Sequence, residues 1–170
     1  MFTDFPQGAD ADRAAMPVGL AVILRTNPDH VGPSADRRNA RVEVLISRRP
    51  EGSACAGFWE FPGGKAHAGE DVVACAVREA SEELGVLVEP LLNLPDTSHR
   101  YAHAHVRLHP VVCRLRTGSP APRDLAVAEH RWAEIETLDD ADFPEGNRPI
   151  LRALRGLDGE GSLARLLQGL

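Results

Sequence analysis

Periodicity places this chain in the α/β or α+β class, on three observations. Val73, Ala76, Val77, Ala80 and Leu84 recur at three- and four-residue spacing, which predicts an amphipathic helix with one buried stripe. Residues 17–24 (PVGLAVIL) and 42–47 are short, apolar and β-branched, the mark of buried strands. Residues 99–115 (HRYAHAHVRLHPVVCRL) alternate in places and predict a strand that pairs with a neighbour or folds back on itself.

Taken in order, residues 1–16 are polar and without period and read as a loose leader, with a single domain over 17–170. Between the first two strands, residues 27–39 (NPDHVGPSADRRN) are turn chemistry throughout and predict a long, disordered hairpin loop. Arg48 and Arg49 close the second strand. Residues 51–64 (EGSACAGFWEFPGG) predict a loop rich in glycine and aromatics, with Trp59 a staple onto the core. Asp71 caps the helix and Gly85 ends it in the left-handed conformation. Residues 87–94 are apolar enough for a strand. Pro110, which has no N–H to give, predicts an edge or a bulge within 99–115. Residues 116–123 are a turn-rich loop, 125–135 lead into a last strand, and 139–151 (DDADFPEGNRPIL) turn into a helix. Leucine spacing makes 149–170 helical, with an interruption at 156–161.

The helix carries the chemistry. Glu79, Glu82 and Glu83 sit opposite its apolar stripe, with Arg78 one turn before Glu82. Like charges repel at that spacing, and acids in a last turn oppose the negative end of the helix dipole. A hard divalent cation between the carboxylates resolves both costs, since magnesium and manganese favour carboxylate oxygens. The competing reading is a solvated acidic face.

The full pattern decides between them. Gly64, five residues, Glu70, seven residues, then Arg78-Glu79-Ala80-x-Glu82-Glu83-x-Gly85-Val86 resembles the Nudix box, which fixes about nine positions over 23 residues. The resemblance extends from Pro17 onward and is nearest to the MutT branch. It implies an α/β/α sandwich with a mixed sheet between helices. It implies two or three Mg²⁺ ions, or Mn²⁺, held by Glu79, Glu82, Glu83 and the Gly64 carbonyl, with Arg78 pairing Glu70 and Glu82. It implies hydrolysis of a nucleoside triphosphate to monophosphate and pyrophosphate. Arg49 and Lys65 would contact the nucleotide, Phe61 would lie against its base, and Asn147, in a segment similar to the MutT D-F-P-x-x-N-x-P, would meet the purine. Arg49, Phe61 and Asn147 together favour an oxidised purine nucleotide such as 8-oxo-dGTP. Glu129, just ahead of Trp132, resembles a position that deprotonates water or holds a second metal in some members; a surface glutamate is the equal alternative.

Composition bounds the rest. At 170 residues the chain holds one sizeable core, and a formal charge of −6 argues against wrapping a nucleic-acid polymer. Cys55, Cys75 and Cys113 show no CxxC spacing and read as reduced thiols of a cytoplasmic protein, a monomer or homodimer with no membrane contact. His103, His105 and His109 favour a structural or cleft-lining role over metal ligation. Two other functions remain in view: a relaxed or pyrimidine-preferring nucleotide pyrophosphohydrolase, and a non-catalytic nucleotide-sensing module. Such modules typically lose box glutamates, and every one is present here.

Overall fold

A computed structural model describes residues 15–27, 41–102 and 104–169. Its spine is Met16–Thr26 (β1), in which every residue from Gly19 to Leu24 is buried. Side chains alternate across a strand, so Leu20, Val22 and Leu24 enter one core cluster while Ala21 and Ile23 enter another. A strand buried on both faces must have a layer on each.

The remaining strands are Val42–Arg48 (β2), Trp59–Glu60 (β3), Gly63–Lys65 (β4), Val88–Asn93 (β5), Thr97–Arg100 (β6), His105–Leu115 (β7) and Glu129–Glu134 (β8). All join one eight-stranded sheet with a central path β3-β2-β1-β7-β5. β1 and β7 run parallel and the other pairs antiparallel, so the sheet is mixed. One face is covered by Val72–Leu84 (α1), which buries Cys75, Ala76, Ala80 and Leu84. The other is covered by Arg148–Gly159 (α2) and Ser162–Gln168 (α3), through Ile150, Leu151, Leu154 and Leu163. The sheet between helices is the predicted α/β/α sandwich.

The helix ends behave as their residues require. Asp71 accepts hydrogen bonds from the N–H groups of Val73 and Ala74, and Gly85 takes φ 68°. Beyond it, the N–H groups of Arg123 and Leu125 reach back to the carbonyls of Leu84 and Glu83, at 2.9 and 3.0 Å.

Several expectations need correction. β1 begins at Met16, inside the expected leader; the rest of the leader before Ala15, and the expected loop apart from Asn27, lie outside the described residues. The stretch 51–64 is not all loop, because β3 and the first residues of β4 fall within it. Pro110 is at neither an edge nor a bulge. It faces the gap where β7 changes antiparallel partner, after Leu108 pairs with Thr97 of β6 and before Val111 pairs with Asn93 of β5. The missing N–H costs no ladder bond there, and the Pro110 carbonyl accepts from Leu94 at 2.9 Å. The helix break is narrower than 156–161, because α2 runs through Gly156 to Gly159 and the chain turns at Gly161, φ 67°.

Candidate active site

Arg78, midway along α1, organises the acidic side chains. Its Nε and Nη2 donate to Glu70 at 2.8 and 2.9 Å, and its Nη1 donates to Glu79 at 2.7 Å and to Glu82 at 2.9 Å. These bonds hold Glu70 ionised down to about 2 and strengthen the charge on Arg78. The acidic face is not uniformly solvated. Glu82 is open, with 57 % of its side chain exposed, whereas Glu79 keeps only 14 %.

Glu83 is set differently. Its carboxylate accepts the Gly63 N–H at 3.1 Å, yet burial, reinforced by neighbouring Glu60, pushes its pKa up to about 8. Glu60 is raised by burial as well, against the pull of Arg49, with which it forms an ion pair. Gly64 fits against this group because it has no side chain: a Cβ there would lie 2.4 Å from Glu79 Oε1. The Gly64 carbonyl accepts a weak bond from the Cys75 thiol at 3.3 Å. Hard oxygen donors crowded together, one of them disfavoured as an anion, suit a divalent cation. Among the described residues no three acidic, histidine or cysteine side chains are grouped as a metal-binding set; Glu70, Glu79 and Glu82 converge on Arg78 instead.

The Gly63–Lys65 edge also borders a cavity of about 360 Å³. Val18 and Leu20 of β1 and Val106 and Leu108 of β7 make part of its lining apolar. Arg49, Glu60 and Lys65 add charged groups to the lining, and Tyr101, Pro144 and Asn147 also belong to it. Asn147 occupies the N-cap position of α2 but makes no capping bond. It is 6 % exposed, and its Oδ1 is buried without a hydrogen-bond partner. The capping capacity of Asn147 is therefore unused, and its Oδ1 remains open to a donor.

Of the sequence-derived candidates, Arg49, Gly64, Lys65 and Asn147 meet at this cavity, and Glu79 and Glu83 stand against β4 at its rim. Phe61 does not join them. It is fully buried, with its ring 5.9 Å from Phe143 in the core, so a base has no access to it. Glu129 is also elsewhere: half-exposed, paired with Arg48 at 3.0 Å, it borders a separate shallow depression with Arg49 and Glu51. Trp59 packs on the core as expected, with the Arg131 guanidinium 4.4 Å from its ring centre. His109 bonds Asp96 and His105 bonds Ser98, both at 2.9 Å, in line with structural roles; His103 lies outside the described residues.

Sequence reasoning missed Glu60, Tyr101 and Cys55, which share the cavity wall. Cys55 is the one non-glycine residue at positive φ among those described. The pairing of Ser47 with Glu60 across β2 and β3 supplied no periodic signal, because β3 is two residues long.

Comparison with known proteins bears on the family and the fold. The profile of a family described as NUDIX domain matches residues 37–153. An 8-oxo-dGTP diphosphatase of Escherichia coli is 29% identical over 120 residues, spanning 71% of this chain and 92% of that one. A Mycobacterium tuberculosis protein provisionally named 8-oxo-dGTP diphosphatase 2 is 34% identical over 134 residues, 70% of this chain and 84% of its own. The crystal structure of a MutT NUDIX hydrolase from Burkholderia pseudomallei superposes with a TM-score of 0.63 at 21% identity, covering 82% of this chain and 98% of that one.

Proposed function

The chain belongs to the NUDIX domain family, and from that premise we propose that it is a metal-dependent hydrolase of nucleoside triphosphates that clears oxidised purines such as 8-oxo-dGTP. The observation that carries the reading is the junction at Gly63–Lys65, where a carboxylate cluster meets a nucleotide-sized cavity whose lining includes Asn147, its buried Oδ1 without a hydrogen-bond partner. A base in the cavity would leave its phosphate chain passing Gly64 toward the glutamates. Relatives named 8-oxo-dGTP diphosphatase support the class.

In this reading Glu79, Glu82, Glu83 and the Gly64 carbonyl would hold Mg²⁺. When bound, the metal would neutralise phosphate charge and lower the pKa of an attacking water. The chain's own part is positional. Arg78 keeps Glu79 and Glu82 in register. Arg49 and Lys65 present positive charge to the anionic end of the ligand, and Glu60 sets the orientation of Arg49. Asn147 Oδ1 asks the ligand for a hydrogen-bond donor. N7 of guanine is an acceptor, while in the 8-oxo form it carries a proton, so the oxidised base satisfies the site and guanine strands it. We extend the proposal to a cytoplasmic protein with a small-molecule substrate, folded as one domain from β1 onward. No described helix is long and apolar enough to cross a membrane.

The test is pyrophosphate release from a panel of oxidised and unmodified nucleotides, with and without Mg²⁺. Preference for 8-oxo-dGTP supports the reading. Equal or pyrimidine-led turnover replaces it with a relaxed pyrophosphohydrolase, and no turnover of any nucleotide with Mg²⁺ present overturns the enzyme.

A further inference from the structure

Asn147 does not hold its own position. Its side chain makes no cap, and its backbone N–H bonds the carbonyl of Pro144, the residue just ahead of the single turn Glu145–Asn147, at 2.9 Å. What fixes that turn is the residue before it. The Gly146 N–H donates to the Tyr101 hydroxyl at 3.3 Å, and the Gly146 carbonyl accepts from the Thr97 hydroxyl at 3.2 Å. Both polar backbone groups of Gly146 are therefore taken by side chains of β6 and the residue that follows it. The fit is close: a Cβ on Gly146 would lie 2.8 Å from the Tyr101 oxygen and 3.1 Å from His99 Cβ.

Tyr101 is itself anchored. Its N–H donates to the Ala104 carbonyl at 2.8 Å, and the His99 ring stands edge-on to it with centres 4.3 Å apart. It also lines the cavity, as Asn147 does. The phenol thus faces two ways, with one side bounding the ligand space and the hydroxyl bound to the turn that carries the ligand-reading amide.

We infer that Tyr101 is a specificity-positioning residue: its hydroxyl, together with that of Thr97, clamps Gly146 and thereby sets the Asn147 amide against the ligand. Without the clamp the turn keeps its helix but loses its registration with the cavity. A buried acceptor displaced by a fraction of an ångström no longer meets a ligand donor at bonding distance. The inference rests on the reading of Asn147 as a ligand contact.

A double-mutant cycle tests it, with Tyr101→Phe, Asn147→Ala and the pair, and Thr97→Val as an independent cut of the same clamp. The substrate is whichever nucleotide the wild-type protein turns over best, and binding of the matching nucleoside monophosphate is measured by calorimetry in parallel. Tyr101→Phe keeps the ring and its contact with His99, and thermal melting shows whether the fold is retained. The expected result is a rise of about fivefold in KM and in monophosphate Kd, the loss of one ordinary hydrogen bond, with kcat moving less than about twofold. Thr97→Val gives the same split. In the Asn147→Ala background Tyr101→Phe adds nothing. An undiminished effect of Tyr101→Phe in that background, no effect of either clamp variant on KM, or no effect of Asn147→Ala on any nucleotide overturns the inference. A wild-type preference for an unmodified nucleotide overturns the oxidised-purine reading alone, because the coupling is still read on that nucleotide.

Discussion

Arg78 and Glu70 meet through two parallel hydrogen bonds, Nε to Oε1 at 2.8 Å and Nη2 to Oε2 at 2.9 Å. Glu70 lies just ahead of the Asp71 cap, while the third guanidinium nitrogen reaches Glu79 and Glu82 further along α1. One planar cation therefore ties the entry of the helix to its carboxylates. Lysine carries the same charge without the fork. Arg78→Lys should lower kcat and weaken Mg²⁺ binding by about 10–100-fold, the range for partners that orient metal ligands. Circular dichroism should show the fold unchanged. A variant with wild-type Mg²⁺ dependence would remove Arg78 from the orienting role.

Glu83 gives a pH signature. Its pKa in the folded protein stands near 8, above the ordinary value of 4.5. The folded state therefore binds the proton more tightly than the unfolded one, and the associated stability is present in full below 4.5 and lost as pH rises through about 8. Metal-free protein should melt at progressively lower temperature across that window. Glu83→Gln should flatten the slope and raise stability at pH 8.5 by about 1–3 kcal/mol, while abolishing turnover. Mg²⁺, which needs the carboxylate free, should bind the wild type more tightly as pH rises over the same range. Glu82→Gln, at an open position, should cut turnover by orders of magnitude with no such stability gain. A pH-independent melting temperature in the metal-free wild type would contradict the burial argument.

The helix and its caps were legible because each depends on local chemistry: apolar spacing, a capping aspartate and a terminal glycine. The same holds for the box, whose glycine and glutamates are read directly from their spacing. Phe61 departs from its expected place because its neighbours Glu60, Gly63 and Gly64 do lie at the site, whereas its own ring turns into the core against Phe143. Alternation in a segment that changes strand every few residues does not reveal which face a side chain takes. Glu60 escaped notice for a similar reason: its environment is made by Arg49 and Glu83, distant in sequence. The contacts of Tyr101 with Gly146 span 45 residues and leave no periodic trace.

Glu129 is where the sequence offered two readings. The carboxylate is 49 % exposed and paired with Arg48, and it does not border the cavity. An exposed surface pair contributes little, typically below about 1 kcal/mol. Glu129→Gln should leave kcat within about threefold of wild type and keep both limbs of the pH–rate profile. Loss of a limb would restore it as the base that deprotonates water.

Under the proposed function, Asn147 is the residue that selects the substrate. Its Oδ1 is buried and accepts no hydrogen bond from the protein, so a ligand donor that reached it would offset a desolvation cost. Asparagine offers one acceptor and two donors on a rigid plane, enough to meet a purine edge whose N7 carries a proton beside an acceptor. Asn147→Ala removes the amide and gives up about 1–3 kcal/mol per bond with the oxidised base, but less with guanine, whose N7 already opposes Oδ1. Asn147→Asp keeps the acceptor but loses the donors and adds a buried charge, so it should weaken both substrates. The ratio of kcat/KM for 8-oxo-dGTP over dGTP should therefore fall by about 10-fold or more in Asn147→Ala at fixed Mg²⁺. A fall in both values with the ratio preserved would reduce Asn147 to a helix-end residue and move base selection to the other walls of the cavity.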